Sequence, residues 1–245
     1  MFVSKFFRAR LIIFTFLMLF LWITYYYTFR NSNITSVKDT TGVIDLVPEM
    51  AGHVMNFNLP SLVLVTVFYE CLCPDSRSFF VNQLLPVMEL IPEYIKIDLI
   101  PYGKASTEVL ENGVYKFKCQ HGPLECLGNK IHACTLINIK DDLTKVKVTT
   151  CMINDNYNAQ EIGKKCCEEY KINWFKVETC ALGTEGELLL KEHGDRTHAL
   201  SPKISFIPTI LLNKERSNQI EILKNFKNEV CTHLKKIPKP PKHCE

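Results

Sequence analysis

Eleven cysteines lie in this 245-residue chain: Cys71, Cys73, Cys119, Cys126, Cys134, Cys151, Cys166, Cys167, Cys180, Cys231 and Cys244. So many in a chain of this size point to an oxidising compartment, where disulfides form and persist. The number is odd, so at least one thiol stays unpaired within a monomer. Which one is left over is the question the sequence poses. The length suits one domain, or a domain with a sizeable insertion. Net charge is only +3, with both signs mixed along the chain. A nucleic-acid binder shows a basic face or run. The nearest candidate here, Lys235, Lys236, Lys239 and Lys242 in a Pro-rich tail, reads as a solvated end, so nucleic acid is excluded as a partner.

The N-terminus speaks to the compartment independently. Lys5, Arg8 and Arg10 precede an apolar run from Leu11 to Phe29 that Arg30 closes. The basic side stays cytoplasmic and directs the rest of the chain to the lumen or the exterior. Two readings of residues 1–30 stand, a cleaved signal peptide and an uncleaved signal anchor. The run is longer than an h-region of about 7–15 residues and approaches the roughly 20 that span a bilayer. Tyr25, Tyr26 and Tyr27 stand where small cleavage-site residues are expected, which favours a type II anchor. Asn33-Ile34-Thr35 is a glycosylation sequon on the lumenal side. Residues 31–59 are polar, without period, and read as a stalk.

The domain is expected over residues 60–245. Ser61–Glu70 (SLVLVTVFYE) is β-branched and apolar, as a buried strand requires. It runs into Cys71-Leu72-Cys73-Pro74-Asp75-Ser76, after which Phe79, Phe80, Leu84, Leu85, Val87 and Met88 recur at helical spacing until Pro92. Tyr94–Pro101 alternates and predicts a second strand, completing a strand–helix–strand unit of an α/β sheet. A Cys-rich region follows over about 102–180, with helical patterns around Glu125–Ile139 and Gln160–Tyr170. Ile204–Asn213 predicts an apolar strand containing Pro208, which must sit at an edge, a start or a bulge. Ile220–Leu234 predicts a closing helix with Ile222, Leu223, Phe226, Val230 and Leu234 on one face.

Two positions carry candidate chemistry. Cys73 falls at a strand-to-helix junction with Pro74 suited to the first helical position. Unpaired N–H groups and the helix dipole there favour an anion, and the thiolate is the form that attacks disulfides. The competing reading is a buried or bonded cysteine at a turn. The other position is Pro208. If the bond before it is cis, the backbone preceding it could face a substrate strand beside the sulfur; an edge-strand trans proline is the bland alternative.

A third pattern is specific. Cys119-Gln120-His121-Gly122, Glu125-Cys126, Asn129 and Cys134 fit C-Q-H-G-x-x-E-C-x-x-N-x-x-x-x-C at every fixed position. This is the signature of the gamma-interferon-inducible lysosomal thiol reductase family, which the chain resembles in an insect-type form. The resemblance runs from about Leu62 to Cys244. It takes in Tyr69-Glu70, Gly183-x-x-Gly186, Thr197-x-x-Leu200-x-Pro202 and Ile207-Pro208-Thr209.

The resemblance implies a thioredoxin-like fold with an inserted helical, disulfide-rich region, and reduction of protein disulfides in lysosomal or endosomal lumen or after secretion. Its partners would be disulfide-containing proteins and a small-molecule thiol as reductant, with the membrane added if the N-terminal segment is uncleaved. It implies no cofactor. The family's active site is C-x-x-C; Cys73 falls on the attacking cysteine, and Pro208 on the cis-proline. Ser76 stands where the second cysteine belongs. A serine cannot resolve a mixed disulfide, although its hydroxyl could donate to the thiolate. The site is then a monothiol one, or one whose catalysis has decayed to a non-catalytic, disulfide-stabilised binding protein. Cys71 is an alternative resolver, across a strained ring.

Cys119, Cys126, Cys134, Cys151, Cys166, Cys180, Cys231 and Cys244 match the family's disulfide framework, with Cys231–Cys244 the expected clip on the tail. The adjacent Cys166 and Cys167 compete for one place in it. Cys71, Cys73 and Cys167 remain. Zinc at the Cys119–Cys134 stretch with His121 and His132 is disfavoured, because its intervals exceed the usual ligand clip and disulfides are favoured in a lumen. His121 and Glu125 are expected to hydrogen-bond within the insertion.

Overall fold

The run VLVTVFY has a β-branched or aromatic residue at nearly every position, so it suits a strand buried on both faces. In the structure, a computed structural model that describes residues 17–25, 62–216 and 218–244, it becomes β1 (Val63–Tyr69), the middle strand of a three-stranded sheet. β2 (Ile95–Pro101) pairs with it in parallel, Val63 opposite Ile95 and Tyr69 opposite Pro101. β5 (Thr209–Leu212) pairs with its other edge antiparallel, Phe68 opposite Thr209 and Val65 opposite Leu212. A parallel pair needs a crossover connection. Here it is α1, which begins at Pro74–Phe79, passes through a π-helical turn at Phe80–Leu84, and continues as Leu85–Leu90.

One face of the sheet holds the main core. Val63, Val65, Val67 and Tyr69 of β1 meet Phe79, Phe80, Leu84 and Met88 of α1 and Ile222, Phe226, Val230 and Leu234 of α7 (Gln219–Leu234). Val146 and Ile153 of α3 (Asp142–Asn154) close the same core. On the opposite face Phe68, Ile100 and Leu211 pack under Leu200 and Ile204.

Between β2 and β5 the chain first forms a hairpin of β3 (Ser106–Val109) and β4 (Tyr115–Lys118). A helical region follows: α2 (Pro123–Leu136), α3, α4 (Ala159–Glu169), α5 (Trp174–Leu182) and α6 (Thr184–His198). Side-chain oxygens start three of them, each satisfying an N–H that a helix leaves orphaned. Asp141 accepts from Thr144 N, Asn158 from Glu161 N, and Asn173 from Lys176 N. These helices have their own core, including Ile131, Val148, Met152, Ile162 and Val177.

Two sequence expectations change. The strand foreseen at Ile204–Asn213 is only Thr209–Leu212. It starts directly after Pro208, which has no N–H to give a ladder. The helical region also continues beyond Cys180 through α6 to His198, and it contains α3, α5 and α6, which the apolar pattern did not predict.

Residues 17–25 are helical, and among the described residues no helix is long and apolar enough to cross a membrane. Most of the expected 1–30 segment, the 31–59 stalk and the Asn33 sequon lie outside the described residues.

Candidate functional site

The site grows from the end of β1. Glu70 follows the strand, Cys71 and Leu72 turn, and Cys73 becomes the N-cap of α1, with Pro74 at the first helical position. The Cys73 N–H donates to Glu70 O at 3.3 Å, and the Arg77 N–H donates to Cys73 O at 3.0 Å. Cys73 therefore closes the turn and opens the helix with its backbone. Its sulfur makes no capping bond and lies 3.7 Å from the carbonyl oxygen of Ile207. The Ile207–Pro208 peptide is cis. Cys73 and Pro208, 135 positions apart in the numbering, thus meet at one spot. Beside Pro74 a shallow hollow of about 380 Å³ is lined by Arg77, Ser78, Val81, Asn82 and Asn154.

Ser76 is fully buried, and its Oγ accepts from the Glu70 N–H at 3.4 Å. That is its side-chain hydrogen bond among the described residues; the bond to the sulfur that its hydroxyl could offer is not formed here.

Four disulfides hold the surroundings: Cys119–Cys126, Cys134–Cys180, Cys151–Cys166 and Cys231–Cys244. Cys71, Cys73 and Cys167 are free thiols. With Cys119, Cys126 and Cys134 paired, the zinc ligand set considered from sequence has no thiolates to offer.

The other two free thiols sit in quite different surroundings. Cys71 is clamped from three sides: its N–H donates to Asn129 Oδ1 at 3.0 Å, its carbonyl accepts from Asn156 Nδ2 at 2.7 Å, and its thiol donates to Glu125 O at 3.5 Å. Burial, with the Glu125 carboxylate adding to it, pushes the Cys71 thiol well above its usual range. Burial pushes Cys167 up to about 11. Both are held as neutral thiols, and Cys71 faces α2.

Behind the turn lies a cluster that sequence reasoning did not assemble. Glu70 and Glu125 are fully buried, while the His121 side chain is 32 % exposed. His121 Nδ1 stands 2.5 Å from Glu125 Oε2 and 3.6 Å from Glu70 Oε2, and its backbone N–H donates to Glu125 Oε1 at 3.0 Å. Glu70 Oε1 accepts from the Lys104 N–H at 2.6 Å, whereas Oε2 has no hydrogen-bond partner. Burial raises the Glu70 carboxyl, and the neighbouring Glu125 raises it further against the Lys104 N–H and His121. Gly103 makes room for it, since a Cβ there would stand 2.1 Å from Glu70 Cγ, and its φ of +61° favours glycine. Glu70, His121 and Glu125 bring three ligand-type atoms within 4.8 Å of one another, the one such group among the described residues.

His132, the other histidine of the Cys119–Cys134 stretch, is buried. Burial pushes it down to about 3, so it stays neutral against the Tyr69 hydroxyl, 3.1 Å from its Nδ1. Asn129 is fixed in the motif and so was visible in the sequence; Asn156 carries no sequence signal.

Residues 64–170 match the family described as gamma interferon inducible lysosomal thiol reductase. The chain is 33 % identical over 192 residues to the gamma-interferon-inducible lysosomal thiol reductase-like protein of Anopheles gambiae, covering 73 % of this chain and 79 % of that one. It is also 33 % identical over 172 residues to GILT-like protein 1 of Drosophila melanogaster, covering 64 % of this chain and 68 % of that one. Among solved structures it is similar to oxidised BdbD from Bacillus subtilis, with a TM-score of 0.52, 13 % identity, and 73 % and 90 % of the two chains covered. Chlamydia trachomatis DsbA gives a TM-score of 0.50 at 12 % identity over 80 % and 100 %. At such identities the likeness is one of fold, an α/β thioredoxin-like architecture with disulfide-laced helices inserted.

Proposed function

Because the chain belongs to the gamma interferon inducible lysosomal thiol reductase family and has a thioredoxin-like fold, we propose that it is a thiol-disulfide oxidoreductase that works through one sulfur, Cys73, in a C-x-x-S site. One observation carries this reading. All three free thiols are buried, but burial pushes Cys71 and Cys167 up, whereas Cys73, the least buried of them, alone stands at a helix N-terminus beside Ile207 O.

The cycle balances with two equivalents of a small thiol. The Cys73 thiolate attacks one sulfur of a protein disulfide; the S–S bond breaks, and the departing sulfur leaves as a thiolate that takes up a proton. The mixed disulfide has no second active-site cysteine to attack it. An external thiolate therefore attacks the Cys73 sulfur, releasing the second substrate thiol and leaving Cys73 disulfide-linked to the small thiol. A second external thiolate attacks the small thiol's sulfur in that link, which returns Cys73 as thiolate and releases the oxidised small disulfide. Two electrons and two protons pass from the small thiols to the substrate.

The reading extends to compartment. Four disulfides, the basic-then-apolar N-terminus, the Asn33 sequon, and relatives named lysosomal thiol reductases support a lysosomal, endosomal or secreted location, with protein disulfides as substrates. Ser76 supports a second reading, a disulfide-stabilised binding protein that has lost turnover.

Alkylation separates the two. A mild probe at acidic pH is expected to label Cys73 well ahead of Cys71 and Cys167, and Cys73→Ala to abolish reduction of insulin disulfides with added small thiol. Equal labelling, or unchanged activity in the variant, selects the binding protein.

A further inference from the structure

We propose that His121 is a positioning residue for Cys73, acting through Glu70: the imidazole bridges two buried carboxylates and so fixes the turn that presents the sulfur. The proposal rests on the reading of Cys73 as the reactive thiol and assigns to the C-Q-H-G signature a task beyond scaffolding the insertion.

The chain of contacts is continuous. Glu70 shapes the reactive turn with its backbone on both sides, its carbonyl accepting from the Cys73 N–H at 3.3 Å and its N–H donating to Ser76 Oγ at 3.4 Å. A shift of Glu70 therefore moves the cap and the first turn of α1 together. The Glu70 carboxylate meets the Lys104 N–H on Oε1 and His121 on the side of Oε2. His121 in turn is fixed by Glu125, through both its ring and its backbone. Glu125 opens α2, whose Asn129 holds the Cys71 N–H two residues before Cys73.

The electrostatics say why an imidazole belongs there. Two carboxylates with no exposure face the same point, and like charges in a poorly solvated place repel strongly unless a cation or a proton intervenes. His121 lies between them, reaching solvent on its outer side. Taken away, it leaves Glu70 Oε2 without the ring nitrogen that faces it and with Glu125 opposite. The relief available is to swing Glu70 out, which pulls on the Cys73 turn. Loss of the Glu125 charge removes that repulsion. Removing His121 is therefore harmful only while Glu125 keeps its charge.

That dependence is the test. In the full chain, the rate of Cys73 alkylation by a small neutral probe is compared for the wild type, His121→Gln, Glu125→Gln and the double variant, each checked for a cooperative melt and four intact disulfides. We expect His121→Gln to slow alkylation by about tenfold, within the range for coupled contacting residues, and the double variant to return to within about threefold of the wild type. A general loss of structure would lower the amount of folded protein without producing this rescue. His121→Lys, which places a nitrogen donor over the two carboxylates, is expected to keep at least about a third of the rate, and carries the test if His121→Gln fails to fold. Wild-type rates in His121→Gln, additive losses in the double variant, or a tenfold loss in folded His121→Lys would overturn the proposal. If Cys73 of the wild type reacts no faster than Cys71, it is the assignment of the reactive thiol that fails instead.

Discussion

The hydroxyl of Ser76 lies 3.4 Å from the backbone nitrogen of Glu70, turned back toward the strand that delivers Cys73. At that place in the first turn of α1, three residues after the attacking sulfur, a resolving thiol would stand in a dithiol enzyme. Here the position is buried, and its side chain serves the backbone of the reactive turn. The serine is thus built into the loop's geometry, which is compatible with exchange through a single sulfur and leaves resolution to an external thiol.

Ser76→Cys is accordingly expected to raise turnover. The change replaces a hydroxyl by a slightly larger thiol at a position already facing the turn, and converts resolution into an intramolecular step. With limiting small thiol, turnover in an insulin assay should rise by roughly tenfold or more, given the effective concentration of an intramolecular group. Mass spectrometry of the oxidised variant should show Cys73 linked to the introduced thiol. An unchanged rate would mean that some other group already resolves the intermediate.

The disulfides differ in what they hold. Cys134–Cys180 closes 46 positions and ties α2 to α5 within the helical core, whereas Cys119–Cys126 closes only seven. Loop-closure entropy then assigns about 4 kcal/mol to the first and about 2.5 kcal/mol to the second. Paired replacement by alanine, followed by urea unfolding, should show the larger loss for Cys134 with Cys180. The reverse order would mean that the short loop contributes mainly through the placement of the His121 segment.

Where apolar residues keep one period, the elements were legible in the sequence: β1, the start of α1 at Cys73-Pro74, β2 and α7 all lie where the pattern puts them. The missed helices are missed for physical reasons. α3 sends Val146 and Ile153 to the sheet core and Val148 and Met152 to the helical core, so it has no single apolar stripe. α6 buries one large side chain, Leu190, between close-packed glycines: a Cβ at Gly186 would stand 2.6 Å from Cys180 O, and one at Gly194 2.6 Å from the Tyr102 ring. Periodicity of large residues cannot register such an interface. The β3–β4 hairpin is mostly exposed, only half-buried on the Tyr115 and Phe117 side of β4. At the site, Cys73, Ser76 and Pro208 could be named from sequence. The His121–Glu125 contact was expected within the insertion, but its link to Glu70 could not be, because it joins groups 51 positions apart through a tertiary contact.

Gly128→Ala tests how firmly α2 holds the reactive turn. An added Cβ would stand 2.4 Å from Cys71 Sγ and 3.4 Å from Ala159 Cβ. Cys71 cannot retreat, since Asn129 and Asn156 hold its N–H and carbonyl. The overpacking should cost about 1–3 kcal/mol and slow Cys73 alkylation as the turn shifts. Cys71→Ala in the same chain removes the clashing sulfur and should restore both. Stability and reactivity unchanged in Gly128→Ala alone would show that the turn and α2 move independently.

Acid stability offers the last test, and its sign follows from His132. Burial holds the imidazole neutral in the fold, with its pKa down at about 3, against 6.5 when free. Below 6.5 the unfolded chain takes up a proton that the folded one refuses, so this residue's contribution is present above 6.5 and is lost as pH falls toward 3. The slope is at most about 1.4 kcal/mol per pH unit for one proton. Glu70 acts in the opposite sense: its carboxyl is raised in the fold, so its contribution is present at acid pH and lost as pH rises through the raised value. The two overlap in the wild type, and a single stability curve would blur them. Comparison with His132→Gln, which keeps a polar partner for the Tyr69 hydroxyl, cancels Glu70 because it is common to both chains. Urea midpoints between about pH 7 and 4.5 should therefore converge on, and then favour, the variant as pH falls, by roughly 2–3 kcal/mol over the range. A constant difference across it would mean that protons reach His132 within the folded protein.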